Sequence, residues 1–210
     1  MKIKICGIKD SETLNCCSEN NVDYFGLLFY EKSPRNINLK KASELISKNK
    51  KINISPVGVF VNHEINELDG IIKKLNLKII QLHGNENNKY IVKLKETKNL
   101  KVIKSIGIKD SKDLSKIKRY ENADYFLFDY KPNENELPGG NSKYFNWSIL
   151  QNLKIDKPWF ISGGINIKNV NVFLKKLNPY GIDISSGVEV KRGIKSNKKI
   201  AELIKIYESK

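Results

Sequence analysis

The chain is predicted to be an α/β protein, a single (β/α)8 barrel over residues 1–210, with a closed parallel sheet inside a ring of helices. Three observations predict it. Eight short β-rich runs alternate with eight amphipathic stretches, which is the count of that fold. A length of 210 residues allows one domain with a sizeable core and is short for a barrel, so insertions must be few. The competing open, doubly wound sheet is expected to carry an early G-x-G-x-x-G, and none follows the first strand.

Strands are expected at 2–6, 24–29, 56–61, 78–82, 101–106, 124–129, 158–162 and 181–185. Helical patterns fill about 11–20, 39–49, 64–75, 86–97, 110–121, 145–152, 167–177 and 196–208. Capping residues precede several of them: Asp10 or Ser11, Asp110 or Ser111, and Ser196. In the first strand, Lys2-Ile3-Lys4-Ile5-Cys6, alternation sends Ile3 and Ile5 one way and Lys4 and Cys6 the other. Cys6 is therefore expected off the apolar face, at a carboxyl end, beside Gly7, where a working thiol would sit. Two connections are longer than a turn requires, Tyr30 to Asn36 and Tyr130 to Lys143. Both follow carboxyl ends of strands, the face on which barrel enzymes carry their chemistry.

Composition excludes several classes. No apolar run approaches the roughly 18 residues of a membrane span, and the charged first residues do not read as a signal peptide. Three cysteines, Cys6, Cys16 and Cys17, argue against a disulfide framework and for a reducing cytoplasm. No Cys/His cluster suggests a metal. The formal charge is +15, yet only three of 38 basic residues are arginine, and the lysines are spread over every helix. Arginine is the preferred reader of phosphate forks and base edges, so solvated lysine faces are expected rather than a nucleic-acid surface.

Candidate chemistry gathers at strand ends. Ser162-Gly163-Gly164 follows the seventh strand and Ser185-Ser186-Gly187 the eighth, the paired positions where barrels often hold a phosphate. Asp129 ends the sixth strand after Tyr125-Phe126-Leu127-Phe128; its position suits either a turn residue or a catalytic acid. Cys6 and Asp129 can face each other across the mouth as base and acid. A free thiol has a pKa near about 8.5, so a neighbouring cation is needed to populate the thiolate; Lys4 or Arg35 is expected to supply it. Arg35, stiffened by Pro34, suits a ligand carboxylate. His83, in Gln81-Leu82-His83-Gly84, lines the same mouth or serves the structure.

Together these segments resemble phosphoribosylanthranilate isomerases. They are Lys4-Ile5-Cys6-Gly7-Ile8, Phe29 to Arg35, Val57 to Asn62, Gln81 to Gly84, Phe128-Asp129, Ser162-Gly163-Gly164 and Asp183 to Glu189, in family order along the whole chain. The resemblance implies a (β/α)8 barrel of tryptophan biosynthesis that performs an Amadori rearrangement without cofactor or metal. It implies Asp129 as general acid, Cys6 as general base and Arg35 on the anthranilate carboxylate. Gly163, Gly164, Ser185, Ser186 and Gly187 would hold the phosphate, with His83 and Lys143 as pocket residues. The implied partner is a small phosphorylated substrate, not nucleic acid or membrane, and the implied enzyme is cytoplasmic, a monomer or homodimer.

Two departures from the family pattern fall in the sixth loop, Ser142 for a glycine and Asn146 for an aspartate; Ser196 replaces a later aspartate. They bear on rate and loop closure rather than on the reaction. The alternatives are another phosphate-binding barrel isomerase or epimerase, which would need more carboxylates or histidines than His63 and His83 provide, and a non-catalytic basic nucleic-acid-binding protein, which would need clustered basic and aromatic residues.

Overall fold

The computed structural model describes residues 1–50, 52–96, 99–133, 144–174 and 176–208. Eight parallel strands run in chain order around a closed barrel: β1 (Lys2–Cys6), β2 (Tyr24–Phe29), β3 (Ser55–Phe60), β4 (Ile79–Leu82), β5 (Lys101–Ile108), β6 (Tyr125–Tyr130), β7 (Trp159–Ile161) and β8 (Gly181–Ile184). β8 pairs back onto β1, with Ile3 opposite Ile182 and Lys4 opposite Asp183. Strand positions match those expected from the sequence to within one or two residues.

The helices are α1 (Ser11–Glu19), α2 (Leu39–Lys48), α3 (Ile65–Leu75), α4 (Asn88–Lys95), α5 (Val170–Leu174) and α6 (Asn197–Glu208). Asp10, rather than Ser11, caps α1: its carboxylate accepts from the Thr13 amide at 2.8 Å. Two expected helices are instead 3-10 turns, Ser111–Arg119 and Trp147–Leu150. The first is opened by a capping box between Asp110 and Asp113. Its apolar side is Leu114, Ile117 and Tyr120, all packed on the core. A spacing of three is the one a 3-10 helix brings into line.

Alternation along the strands builds two cores. Ile3, Ile5, Phe25, Leu27, Phe126, Phe128 and Ile182 point outward and pack under the helices. Cys6, Val57, Val59, Ile103, Leu127 and Phe160 fill the barrel interior. The face shared by Lys4 and Cys6 is therefore not a polar one. It is the barrel lumen, with Lys4 fully buried and Cys6 only 8% exposed, because a closed sheet has no solvent side.

Past β8 the chain departs from the sequence expectation. A short 3-10 turn, Ser186–Val188, leads into a two-stranded hairpin, β9 (Glu189–Lys191) and β10 (Ile194–Lys195), in which Glu189 and Lys195 are partners. Among the described residues, no helix is long and apolar enough to cross a membrane.

Candidate active site

Cys6 ends β1 opposite Gly26 of β2. A side-chain carbon at Gly26 would lie 2.7 Å from the Cys6 sulfur, so glycine there makes room for the thiol. Below it, Lys4 Nζ donates to Asp183 Oδ1 at 2.9 Å, both side chains buried. Burial raises the Cys6 thiol; Lys4 pulls it down, Asp183 raises it and Lys195 pulls it down, and the balance lies above an ordinary cysteine. Burial alone would lower the Lys4 ammonium, but Asp183 and Cys6 hold it above its usual value. Lys4 is thus one of the cations expected beside the thiol. Lys195, which the sequence does not single out, is another.

Asp129 sits opposite Gly107 on β6, on the face that also carries Leu127. It is 5% exposed. Its Oδ1 accepts from the Tyr130 amide at 2.8 Å, and its Oδ2 lies 3.4 Å from His83 Nε2. Gln81 Nε2 lies 2.7 Å from His83 Nδ1. With that amide donating, Nδ1 is the acceptor and Nε2 carries the ring proton, 3.4 Å from Ser105 Oγ and 3.4 Å from Asp129 Oδ2. The loop bearing His83 is anchored by Lys104, whose Nζ reaches Glu86 Oε2 at 2.8 Å and the Gly84 carbonyl at 2.7 Å. His83 and Asp129 thus lie together at this mouth.

Arg35 is buried, 4% exposed. It forks onto Glu189, with Nε to Oε1 and Nη2 to Oε2, both at 2.8 Å. The Arg35 stem packs on Gly7, where a side-chain carbon would meet Cδ at 3.0 Å. Gly7 has a φ of +84°, a region glycine enters without strain.

The two glycine loops meet as their positions in the fold predict. A side-chain carbon at Gly187 would lie 1.9 Å from the Ile165 carbonyl oxygen, so only glycine allows these backbones to touch. Gly163 and Gly164 have φ of +84° and +74°, and Gly163 also abuts Asp129 Oδ1. Ser185 Oγ donates to the Cys6 carbonyl at 3.1 Å, tying this loop to β1. Lys143 and Ser142 lie outside the described residues. Asn146 caps the 3-10 turn that follows, accepting from the Ser148 amide at 3.1 Å. Gly26, Gln81, Asp183, Glu189 and Lys195 are given no role by the sequence alone. Asp183 and Glu189 stand inside the matching segment Asp183 to Glu189, and only the fold shows what they touch.

A closed parallel barrel with a thiol, a carboxylate and a buried guanidinium at its carboxyl-terminal mouth is a (β/α)8-barrel enzyme. A family model described as N-(5′-phosphoribosyl)anthranilate (PRA) isomerase matches residues 3–206. The N-(5′-phosphoribosyl)anthranilate isomerase of Rhizobium leguminosarum is 40% identical over 209 residues, covering 98% of this chain and 93% of its own. That of Aquifex aeolicus is 35% identical over 210 residues, 100% and 99% respectively. The crystal structure of the Thermotoga maritima phosphoribosyl anthranilate isomerase aligns with a TM-score of 0.89 at 30% identity over all of both chains. The chain belongs to the N-(5′-phosphoribosyl)anthranilate isomerase family, and is an isomerase of tryptophan biosynthesis.

Proposed function

We propose that the chain converts N-(5′-phosphoribosyl)anthranilate to 1-(2-carboxyphenylamino)-1-deoxyribulose 5-phosphate, with Asp129 as general acid and Cys6 as general base. The observation that carries this is the pair of lumen-facing groups at the carboxyl ends of β6 and β1. Each has a polar neighbour suited to its role. His83 Nε2 is 3.4 Å from Asp129 Oδ2, and the buried Lys4 ammonium pulls the Cys6 thiol toward its thiolate.

Asp129 gives its proton to the furanose ring oxygen as the C1′–O bond breaks and the nitrogen lone pair closes a C1′ iminium. The Cys6 thiolate then removes the C2′ proton, and the C–H electron pair flows toward the iminium to form an enolamine. Tautomerisation of the enolamine gives the ketone. The acid neutralises charge developing on a leaving oxygen, and the base acts on a carbon already acidified by the iminium. Each group is worth about 10²–10⁴-fold. After its transfer the Asp129 carboxylate is held by the His83 Nε2–H.

Arg35 takes the anthranilate carboxylate, and the backbone about Gly163, Gly164, Ser185, Ser186 and Gly187 takes the phosphate. Holding both ends orients C2′ toward Cys6. A solved isomerase with a TM-score of 0.84 and 28% identity to this chain is described as a complex with the reduced form of that product, which supports this substrate class. We place the reaction in the cytoplasm, in one barrel of residues 1–210 acting as monomer or homodimer; free thiols at Cys6, Cys16 and Cys17 suit a reducing compartment.

The test is growth of a tryptophan auxotroph that lacks this isomerase. Growth without tryptophan is the expected result. Failure despite soluble, folded expression would refute the substrate assignment.

A further inference from the structure

Five charged side chains beneath and beside Cys6 are withdrawn from water: Lys4, Arg35, Asp183, Glu189 and Lys195. Lys4 is fully buried, Arg35 is 4% exposed, Asp183 5% and Glu189 8%, and the Lys195 side chain is 2% exposed. Three of them are cations and two are anions, and each is in an ion pair: Lys4 with Asp183, and Arg35 and Lys195 with Glu189. Lys4 and Lys195 pull the thiol toward the thiolate against its burial.

Lys195 is the least expected of the five. It lies on β10, outside the barrel sheet, and reaches back inward. Its Nζ donates to Glu189 Oε1 at 2.9 Å, to the Ser185 carbonyl at 3.0 Å and to Ser185 Oγ at 3.2 Å. Glu189 Oε1 also accepts from Arg35 Nε. Glu189 Oε1 therefore holds Lys195 and one prong of the Arg35 fork, whose other prong is on Oε2, while the same ammonium grips the residue whose hydroxyl bonds the Cys6 carbonyl. The hairpin is seated for this. At its turn, a side-chain carbon on Gly193 would meet the Pro34 carbonyl oxygen at 2.6 Å, and Lys9 Nζ donates to that same oxygen at 2.9 Å. The segment carrying Arg35 is thus pinned to the hairpin at Pro34 and at Glu189.

We propose that Lys195 is a positioning residue that couples the two halves of the pocket: through Glu189 it fixes the Arg35 guanidinium, and through Ser185 and its charge it fixes and activates the Cys6 thiol. This deepens the isomerase reading and rests on it for the identity of the carboxylate. The groups facing Cys6 are Lys4 from its own strand, Asp183 from β8 and Lys195 from β10. Both Lys4 and Lys195 favour the thiolate, and Asp183 opposes it. Losing Lys195 must therefore shift the thiol toward higher pH.

Two readouts test it. The first is the pH profile of iodoacetamide alkylation at Cys6, followed on its own peptide by mass spectrometry so that Cys16 and Cys17 do not contribute. In Lys195→Met the profile should move alkaline by about one unit, slowing alkylation at neutral pH about tenfold. The second is calorimetric affinity for reduced 1-(o-carboxyphenylamino)-1-deoxyribulose 5-phosphate, which should weaken about tenfold or more in Lys195→Met, a loss of about 1.4 kcal/mol. Lys195→Arg, which keeps charge and donors, should recover most of both. Lys195→Gln serves if the methionine variant does not fold. A folded methionine or glutamine variant with either readout within twofold of wild type would overturn the proposal. If wild type itself does not bind the reduced product, the isomerase reading fails, and the alkylation profile still decides the effect of Lys195 on the thiol.

Discussion

At the amino-terminal mouth of the barrel, Tyr24, Tyr125 and Tyr180 close around Phe160, with ring centroids 5.3–6.0 Å apart. At the carboxyl-terminal mouth the same interior carries Cys6, Asp129 and five buried charges. Both ends must keep water out of a lumen filled by Val57, Val59, Ile103 and Leu127. One does it with neutral aromatic rings whose hydroxyls bond each other, Tyr24 to Tyr180 at 3.2 Å. The other does it with ion pairs, which stabilise less but leave charges oriented for chemistry. The contrast shows where a barrel places stability and where it places function, and substitutions at the two ends should separate the two properties.

The largest expected effect is at the proposed acid and base, Asp129 and Cys6. Cys6→Ala and Asp129→Asn should each lower kcat by about 10²–10⁴-fold while affinity for the reduced product stays near wild type. Steady-state kinetics with separate binding measurements will read this; a rate within threefold of wild type would remove that residue from the mechanism. The pH dependence has a definite sign. The Cys6 thiol lies above its ordinary value because of burial, so the thiolate proposed as base is a minority form at neutral pH, and kcat/KM should climb as pH rises above 7. A rate limb that falls over that range would contradict a thiolate base.

Next is the ion pair under the thiol. Asp183→Asn leaves the fully buried Lys4 ammonium without its counter-charge. Breaking such a pair from one side costs about 3–5 kcal/mol. Urea denaturation should show a lower midpoint with an unchanged slope. A cost under 1 kcal/mol would mean that Cys6, as a thiolate, already balances Lys4.

Arg35→Met comes third. It removes the proposed carboxylate contact and leaves Glu189 to Lys195 alone. KM should rise about tenfold or more, equivalent to about 1.4 kcal/mol, with a smaller change in kcat. Equal KM and kcat to wild type would exclude Arg35 from substrate binding.

Much of the molecule is legible in its sequence, for reasons that also explain what is not. The strands are readable because each is a short apolar run bounded by polar turns. Cys6, Arg35, Asp129 and the late glycines are readable because they lie at strand ends, where the fold exposes function. The 3-10 turn at Ser111–Arg119 is not, since Leu114 and Ile117 at a spacing of three fit an α-helix equally well. Nor is the lumen: one face of β1 reads Lys4 and Cys6, which suggests solvent until closure with β8 supplies Asp183. Glu189 and Lys195 are least visible. Their pairing needs a hairpin of only five strand residues, too short for periodicity to mark. Gly26 carries no signal in sequence and acquires meaning only because Cys6 lies opposite it.

The smallest effect belongs to the aromatic mouth. Tyr180→Phe keeps the ring on Phe160 and Tyr125 and removes the hydroxyl bonded to Tyr24. Burial and that bond together raise the Tyr24 phenol, so what is lost is a hydrogen bond to an un-ionised Tyr24. Such a bond contributes about 0.5–1.5 kcal/mol, which at this chain length moves the melting temperature by a few degrees, on the order of 2–4 °C per kcal/mol. Activity should stay within twofold, because Tyr180 lies at the opposite mouth from Cys6 and Asp129. Measured beside Asp183→Asn, it isolates what charge does at one end from what packing does at the other. A tenfold loss of kcat in Tyr180→Phe without loss of stability would show that the two mouths are coupled through the lumen, and the division of labour between them would not hold.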